Sequence, residues 1–230
     1  MGADLKWTSR PETPTAVVLV LHGGQGASRR PARWHNLAVL RMVPVARAVA
    51  KAGQGTFAVA MLRYAVRGWN GAAASPVPDA RAALDQISET YPGVPIALVG
   101  HSMGGRVALA LADDPRVVEV VGLAPWVVGD DGLKVHENQK LLLIHGVGDR
   151  MTSAEASRRV VETLQERGHT ASFVGLKSAD HAMLRRAATW DHLDVGYLAG
   201  TLRTQSDLSE APELDRLGAQ AGEESIVTVI

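Results

Sequence analysis

The chain alternates short, mostly apolar runs with longer segments in which apolar residues return every three or four positions. Six runs have the length and predominantly apolar character of strands buried on both faces: Ala16-Val17-Val18-Leu19-Val20, residues 56–62, Pro95-Ile96-Ala97-Leu98-Val99, residues 117–123, residues 140–145 and residues 171–176. The intervening segments read as helices. Residues 43–51 tolerate Pro44 in a first turn, and a helix starting near Asp79 gathers Ala80, Ala83, Leu84 and Ile87 into one stripe before Tyr91-Pro92-Gly93 ends it. Thr152-Ser153-Ala154-Glu155 has the pattern of a capping box, and the helix it opens places Ala156, Val160, Val161 and Leu164 on one face, with Gly168 as its stop. Strands and helices in alternation predict an α/β domain, a mostly parallel sheet covered on both faces.

No internal repeat or linker divides this pattern, and 230 residues of which 46% are hydrophobic suffice for one large core. Residues 1–204 are therefore expected to form one domain and residues 205–230 a tail. The tail is polar and acidic over residues 205–224 and then turns to Ile226-Val227-Thr228-Val229-Ile230. A mobile terminus is the first expectation for such an end, and pairing of its last five residues with an exposed sheet edge is the alternative.

One strand-to-helix junction carries chemistry. Gly100-His101-Ser102-Met103-Gly104 follows an apolar run and opens into Gly105-Arg106-Val107-Ala108-Leu109. A serine at the tip of so sharp a turn is held in a strained backbone, and small residues two positions either side let strand and helix pass. Ser102 is the candidate nucleophile. A serine hydroxyl needs a histidine base and a carboxylate to orient it, and in hydrolases built around this elbow they follow in the order acid, then histidine. Asp149 stands beyond the run 140–145, after Gly146-Val147-Gly148, at a strand's carboxyl end. Three of the eight histidines lie downstream of it. His169 leads into a strand and His192 falls in a helical stretch, whereas His181 sits in a loop entering a helix and is the best base. Asp180 is a competing acid only by adjacency, since neighbouring side chains point apart.

The oxyanion of acyl transfer needs two backbone N–H donors. Met103, the residue after the nucleophile, supplies the first, and Gly24 in Leu21-His22-Gly23-Gly24-Gln25-Gly26 the second, with Gln25 as the neighbouring candidate. That glycine-rich stretch lacks the Gly-Lys-Ser/Thr ending of a phosphate loop and the dinucleotide fingerprint. Gln25, Trp69 and Trp126 are candidate walls of the substrate pocket, as is Trp34 near the oxyanion loop.

These stretches, with Asp180-His181, resemble the α/β-hydrolase superfamily, in particular its small single-domain esterases and dienelactone-hydrolase-like members, over roughly residues 15–204. The resemblance implies the α/β-hydrolase fold, a serine nucleophile, a histidine base, an aspartate that orients it, and a covalent acyl-enzyme. Dienelactone hydrolases proper carry a cysteine at the elbow, and this chain has none. Cap domains of the superfamily are inserted where this chain has only residues 125–139, so a minimal cap and an open site are expected. The expected activity is hydrolysis of a carboxylic ester or thioester. Acyl transfer and perhydrolysis on the same triad are alternatives, as is a non-catalytic ligand-binding protein on the same fold.

Composition narrows the classes further. With 24 basic and 24 acidic residues the net charge is zero, which gives the whole chain no field favouring nucleic acid or an anionic membrane. Absence of cysteine excludes disulfides and thiolate catalysis and fits the cytoplasm. No histidine pair has metal-ligand spacing, so neither metal nor organic cofactor is expected. Residues 1–15 contain no apolar core of signal-peptide length.

Overall fold

The computed structural model describes residues 2–136, 138–185, 187–202, 220 and 227–230. Eight strands form one sheet: β1 (Asp4–Ser9), β2 (Ala16–Leu21), β3 (Phe57–Arg63), β4 (Ile96–His101), β5 (Val117–Leu123), β6 (Lys140–Gly146), β7 (Thr170–Leu176) and β8 (Val227–Val229). Their order across the sheet is β1-β3-β2-β4-β5-β6-β7-β8, with β1 antiparallel to β3 and the other pairings parallel. β2 to β7 coincide with the six apolar runs to within a residue or so at most ends. This is the architecture of an α/β-hydrolase.

The helices are α1 (Leu37–Leu40), α2 (Met42–Ala52), α3 (Pro76–Thr90), α4 (Met103–Ala110), α5 (Ala154–Glu166) and α6 (Ala187–Leu202). Alternate residues of each strand serve two cores. Val17, Leu19 and Leu21 pack with Ala83, Leu84 and Val107 under α3 and α4, and with residues of α5 farther along that face. Ala16, Val18 and Val20 pack with Val45, Val49, Leu193 and Tyr197 under α2 and α6. Because both faces are covered, the strands lack polar alternation.

Three local features differ from the sequence pattern. The helix expected near Asp79 begins at Pro76, because proline at the first helical position loses no hydrogen bond and brings its φ already set. The helix after residue 152 is capped by Ser153, whose Oγ accepts from Ala156 N at 3.0 Å, so the expected capping box is out of register by one and Thr152 is free to turn inward. The chain's last residues are held: β8 pairs with β7, Ile230 N–H donates to Gly175 O at 2.8 Å and Lys177 N–H to Ile230 O at 2.7 Å. Residues 205–219 and 221–226 of the expected acidic tail lie outside the described residues. β1, whose residues alternate between exposed and half-buried, has no counterpart among the apolar runs; it caps the open edge beside β3.

Running from β2 the chain goes to β3 on one side, returns across to β4 and then continues to β5 on the other, so strand order reverses between β2 and β4. Loops at such a reversal diverge and leave a crevice at the strands' carboxyl ends. The loop after β2 is the glycine-rich stretch, and the residue after β4 is Ser102.

Candidate active site

Ser102 adopts φ 55° and ψ −116°, a positive-φ conformation that a side chain disfavours. The surroundings over-determine it: Ser102 N–H donates to Leu123 O at 3.0 Å, and Ser102 O accepts from Trp126 N at 3.0 Å and Arg106 N at 3.1 Å. The elbow tolerates no side chain beneath it. A Cβ on Gly100 would strike the backbone of Gly104, and one on Gly104 would lie 2.3 Å from Leu21 O. The serine is thus lifted over the switch point by backbone contact alone.

The structure brings Ser102, His181 and Asp149 into one hydrogen-bonded chain, with Ser102 Oγ 3.0 Å from His181 Nε2 and His181 Nδ1 2.7 Å from Asp149 Oδ2. An ionised carboxylate only accepts, so Nδ1 carries the ring proton and Nε2 presents its lone pair to the serine O–H. Asp180 does not compete for the imidazole. Its Oδ1 accepts from Leu184 N at 2.8 Å and Arg185 N at 3.0 Å, closing the turn after His181.

Asp149 is held by more than the histidine. Its Oδ1 accepts from Met151 N at 2.7 Å and Thr152 N at 3.2 Å, while Oδ2 accepts from Thr152 Oγ1 at 2.8 Å and lies 3.4 Å from His145 Nε2. Burial would raise its pKa, but the hydrogen bonds from His145, Met151, His181 and Thr152 outweigh it and hold the carboxyl well below the usual range. Thr152 is the hub. Having given its only proton to Asp149, its Oγ1 accepts from His145 Nε2 at 3.1 Å, which leaves His145 Nδ1 to accept from Ser157 Oγ at 2.9 Å. Sequence reasoning places neither Thr152 nor His145 at the site. The one signal for them is their spacing, at three residues after and four before Asp149.

His101 also acts at the site. Its Nε2 donates to the backbone O of His181 at 2.8 Å, anchoring the loop that carries the base, and the two rings stand 5.0 Å apart. Burial pushes the His101 imidazole down to about 4 against the pull of that bond, so it is neutral near pH 7. His22 is likewise pushed down to about 4 by burial. It accepts from Tyr64 N at 3.3 Å and gives its proton to Gly23 O at 2.6 Å, setting the oxyanion loop.

In that loop Gln25 N–H is committed to Arg67 O at 2.9 Å, which removes it as an oxyanion donor. Gly24 packs on the Met103 side chain, and the two remaining candidates are Gly24 N–H and Met103 N–H. Beside them opens a cavity of about 470 Å³ lined by Gly23, Gly24, Gln25, His35, Leu37 and Arg67 among others. Gln25 lines this cavity, whose walls include neither Ser102 nor His181. Trp69 and Trp126 do not line this one: they pack edge-to-face and both rings bear on the Arg106 guanidinium, at 4.0 and 4.6 Å. Arg106 Nε lies 2.7 Å from Asp131 Oδ2, an ion pair that ties the segment after β5 to the elbow helix. Trp34 is stacked beneath Lys6 and Arg63 and donates to Asp4. Between β5 and β6 no helix is present among the described residues, so no helical lid from that segment covers the crevice.

Solved structures share this framework. A putative α/β-hydrolase of unknown function from Agrobacterium tumefaciens superposes with a TM-score of 0.69 at 18% identity, covering 92% of this chain and 94% of its own. An α/β serine hydrolase without lid from Xanthomonas campestris gives 0.61 at 19% identity, covering 84% and 85%. The esterase domain of a Rhodothermus marinus protein gives 0.60 at 21% identity, covering 87% and 100%. At these identities the likeness is one of fold. No functionally curated protein matches the chain significantly in sequence. The sequence model of the family described as serine aminopeptidase, S33, matches residues 12–141, a span that holds the oxyanion loop, the elbow and the strands that place them, and the chain belongs to that family of α/β-hydrolases.

Proposed function

We propose that the chain hydrolyses a carboxylic ester or thioester through a covalent acyl-enzyme on Ser102. The reading rests on the hydrogen-bonded chain from Ser102 through His181 to Asp149. Ser102 Oγ attacks the carbonyl carbon while its proton passes to His181 Nε2. The negative charge that develops on the carbonyl oxygen is met by Gly24 N–H and Met103 N–H. As the bond to the leaving alcohol or thiol breaks, His181 returns the proton to it. Water then loses a proton to the same nitrogen, attacks the acyl carbon and releases the acid, and Ser102 is regenerated. Asp149 keeps Nδ1 protonated throughout and stabilises the transient imidazolium.

One observation favours esters over the peptide amino termini in the family's name. The cavity beside the oxyanion loop has no aspartate or glutamate among its lining residues, so an α-ammonium group finds no counter-charge there. The absence of a helix between β5 and β6 among the described residues leaves little chain to wrap a long acyl group and suits a short or medium one. The test is a series of p-nitrophenyl esters and acyl thioesters of increasing chain length on the purified protein. Turnover is expected to peak on short or medium chains. Activity concentrated beyond about twelve carbons, which needs a deep apolar tunnel, refutes the open site, and no turnover of any member refutes the hydrolase reading.

A further inference from the structure

Exposed large apolar side chains are confined to two places among the described residues. Val227 and Val229 lie on the edge strand β8, and the other six, Leu37, Leu40, Val128, Val147, Met151 and Leu184, all sit on segments leaving the carboxyl ends of β2, β5, β6 and β7. Parallel strands deliver those segments to one end of the sheet, the end that holds Ser102. Leu37, Met151 and Leu184 are 82%, 75% and 66% exposed. The end of the sheet that holds Ser102 therefore carries apolar side chains that no described part of the chain covers.

Charge is distributed unevenly in the same sense. Elsewhere Arg81, Arg116, Arg158 and Arg159 pair with carboxylates, while Arg10, Arg47 and Lys51 are exposed and make no ion pair among the described residues. Arg29, Arg30 and Arg33 on the segment after β2, with Arg150 and Arg185 beside Met151 and Leu184, are exposed and make no ion pair among the described residues. Most carboxylates at this end are engaged, Asp131 with Arg106, Asp4 with Arg63 and Trp34, Asp180 with its own turn and Asp149 with His181, and the exposed Asp130 is set against the five arginines. A chain of zero net charge thus presents a positive, apolar-studded face around its site. The zero total conceals that asymmetry.

We propose that this face docks on an anionic lipid surface. Guanidinium groups match phosphate geometry, arginines near an anionic bilayer attract it at short range, and apolar side chains between them enter the acyl boundary. Surface docking of this kind needs no spanning helix, and no helix among the described residues is long and apolar enough to cross a membrane.

The test is co-sedimentation with vesicles of phosphatidylcholine alone and of phosphatidylcholine rich in phosphatidylglycerol, using Ser102→Ala so that binding is read without turnover. Its failure is thereby separable from failure of the hydrolase reading. Binding is expected on the anionic vesicles at about 0.1 M salt and its loss by about 0.5 M. Combined Arg29→Glu, Arg30→Glu and Arg33→Glu should weaken it by about a hundredfold, and combined Leu40→Asp and Leu184→Asp should weaken it also. In the Ser102 background both sets should leave hydrolysis of a soluble short-chain ester within about twofold of the parent, since surface changes of this kind cost little stability. Equal binding to both vesicle types, none to either, or full binding after the charge reversal overturns the proposal. So does a concentration-dependent dimer that the same substitutions dissolve, which assigns the face to a second copy.

Discussion

The elbow after β4 and the acid loop after β6 deliver their residues to the same point by opposite means. The elbow is built from backbone collisions avoided: Gly100 and Gly104 admit no Cβ, and Ser102 is forced into a positive-φ conformation that three backbone hydrogen bonds secure. The acid loop is built from side-chain hydrogen bonds made, with Asp149 receiving donors from Met151, Thr152 and His181 and standing against His145. Steric assembly has few solutions and leaves a dense local motif. Hydrogen-bonded assembly draws on residues spread over the chain and yields by degrees when one is lost.

The largest expected effect falls where the two regions meet. Asp149→Asn should lower ester turnover by roughly a thousandfold to ten-thousandfold, because the amide no longer fixes the proton on His181 Nδ1. Asp180→Asn should cost less than about tenfold, since its contacts close a turn and do not reach the imidazole. Steady-state kinetics on the two variants decides it, and the reverse ranking would break the assignment of the acid.

Gly104→Ala tests the steric side. A Cβ placed 2.3 Å from Leu21 O cannot be absorbed by a side-chain rotation, so strand β2 and helix α4 must separate. A loss of about 3 kcal/mol in urea unfolding is expected, with turnover falling in step. A variant of wild-type stability would show that the elbow yields.

Thr152→Val tests the hydrogen-bonded side. It removes one donor from a charged carboxylate while keeping shape, so turnover should fall by about tenfold to a hundredfold with little change in fold. Thr152→Ser, which restores the hydroxyl, should recover most of the rate. Loss of activity equal to that of Asp149→Asn would mean that the acid loop is as brittle as the elbow.

The smallest effect concerns buried titrating groups. His22 and His101 are pushed down to about 4 by burial, from an ordinary 6.5, so between those values the unfolded chain binds their protons and the folded one does not. That makes stability rise with pH up to about 6.5. Glu119, under α6, is pushed up to about 8 by burial, so the folded chain holds a proton that the unfolded one releases above 4.5, and stability from this group falls as pH rises from 4.5 to 8. Two histidines outweigh one glutamate below 6.5, and the glutamate acts alone above it. For these three groups stability therefore peaks near pH 6.5, with flanks of about 1 kcal/mol per pH unit. Urea unfolding as a function of pH should show the peak, and Glu119→Gln should abolish its alkaline flank.

The contrast between elbow and acid loop also explains what the sequence discloses. Strands buried on both faces are uniform apolar runs, and the elbow is written in five consecutive residues, so both are legible. Order along the chain locates Ser102, Asp149 and His181, and the structure brings them within hydrogen-bonding distance. Thr152 is hidden because its pattern equally fits a helix cap, and only the fold decides that Ser153 takes the cap while Thr152 turns inward. Exclusion of Gln25 as an oxyanion donor depends on Arg67, distant in sequence, and the tryptophans' grip on Arg106 depends on α4 crossing their loops. Such long-range contacts leave no local pattern. β8 is ambiguous for a related reason, since a short strand at a chain end gains its order only from the edge that receives it.

The central claim is that Ser102 is made nucleophilic by His181 and Asp149. A fluorophosphonate reacts only with an activated serine, and mass spectrometry of the digested protein locates the adduct. The account predicts a single adduct on the peptide bearing Ser102, formed rapidly by the unaltered protein, at least about a hundredfold more slowly by His181→Ala and not at all by Ser102→Ala. An adduct on another serine, or labelling of Ser102 at an undiminished rate without His181, would contradict it.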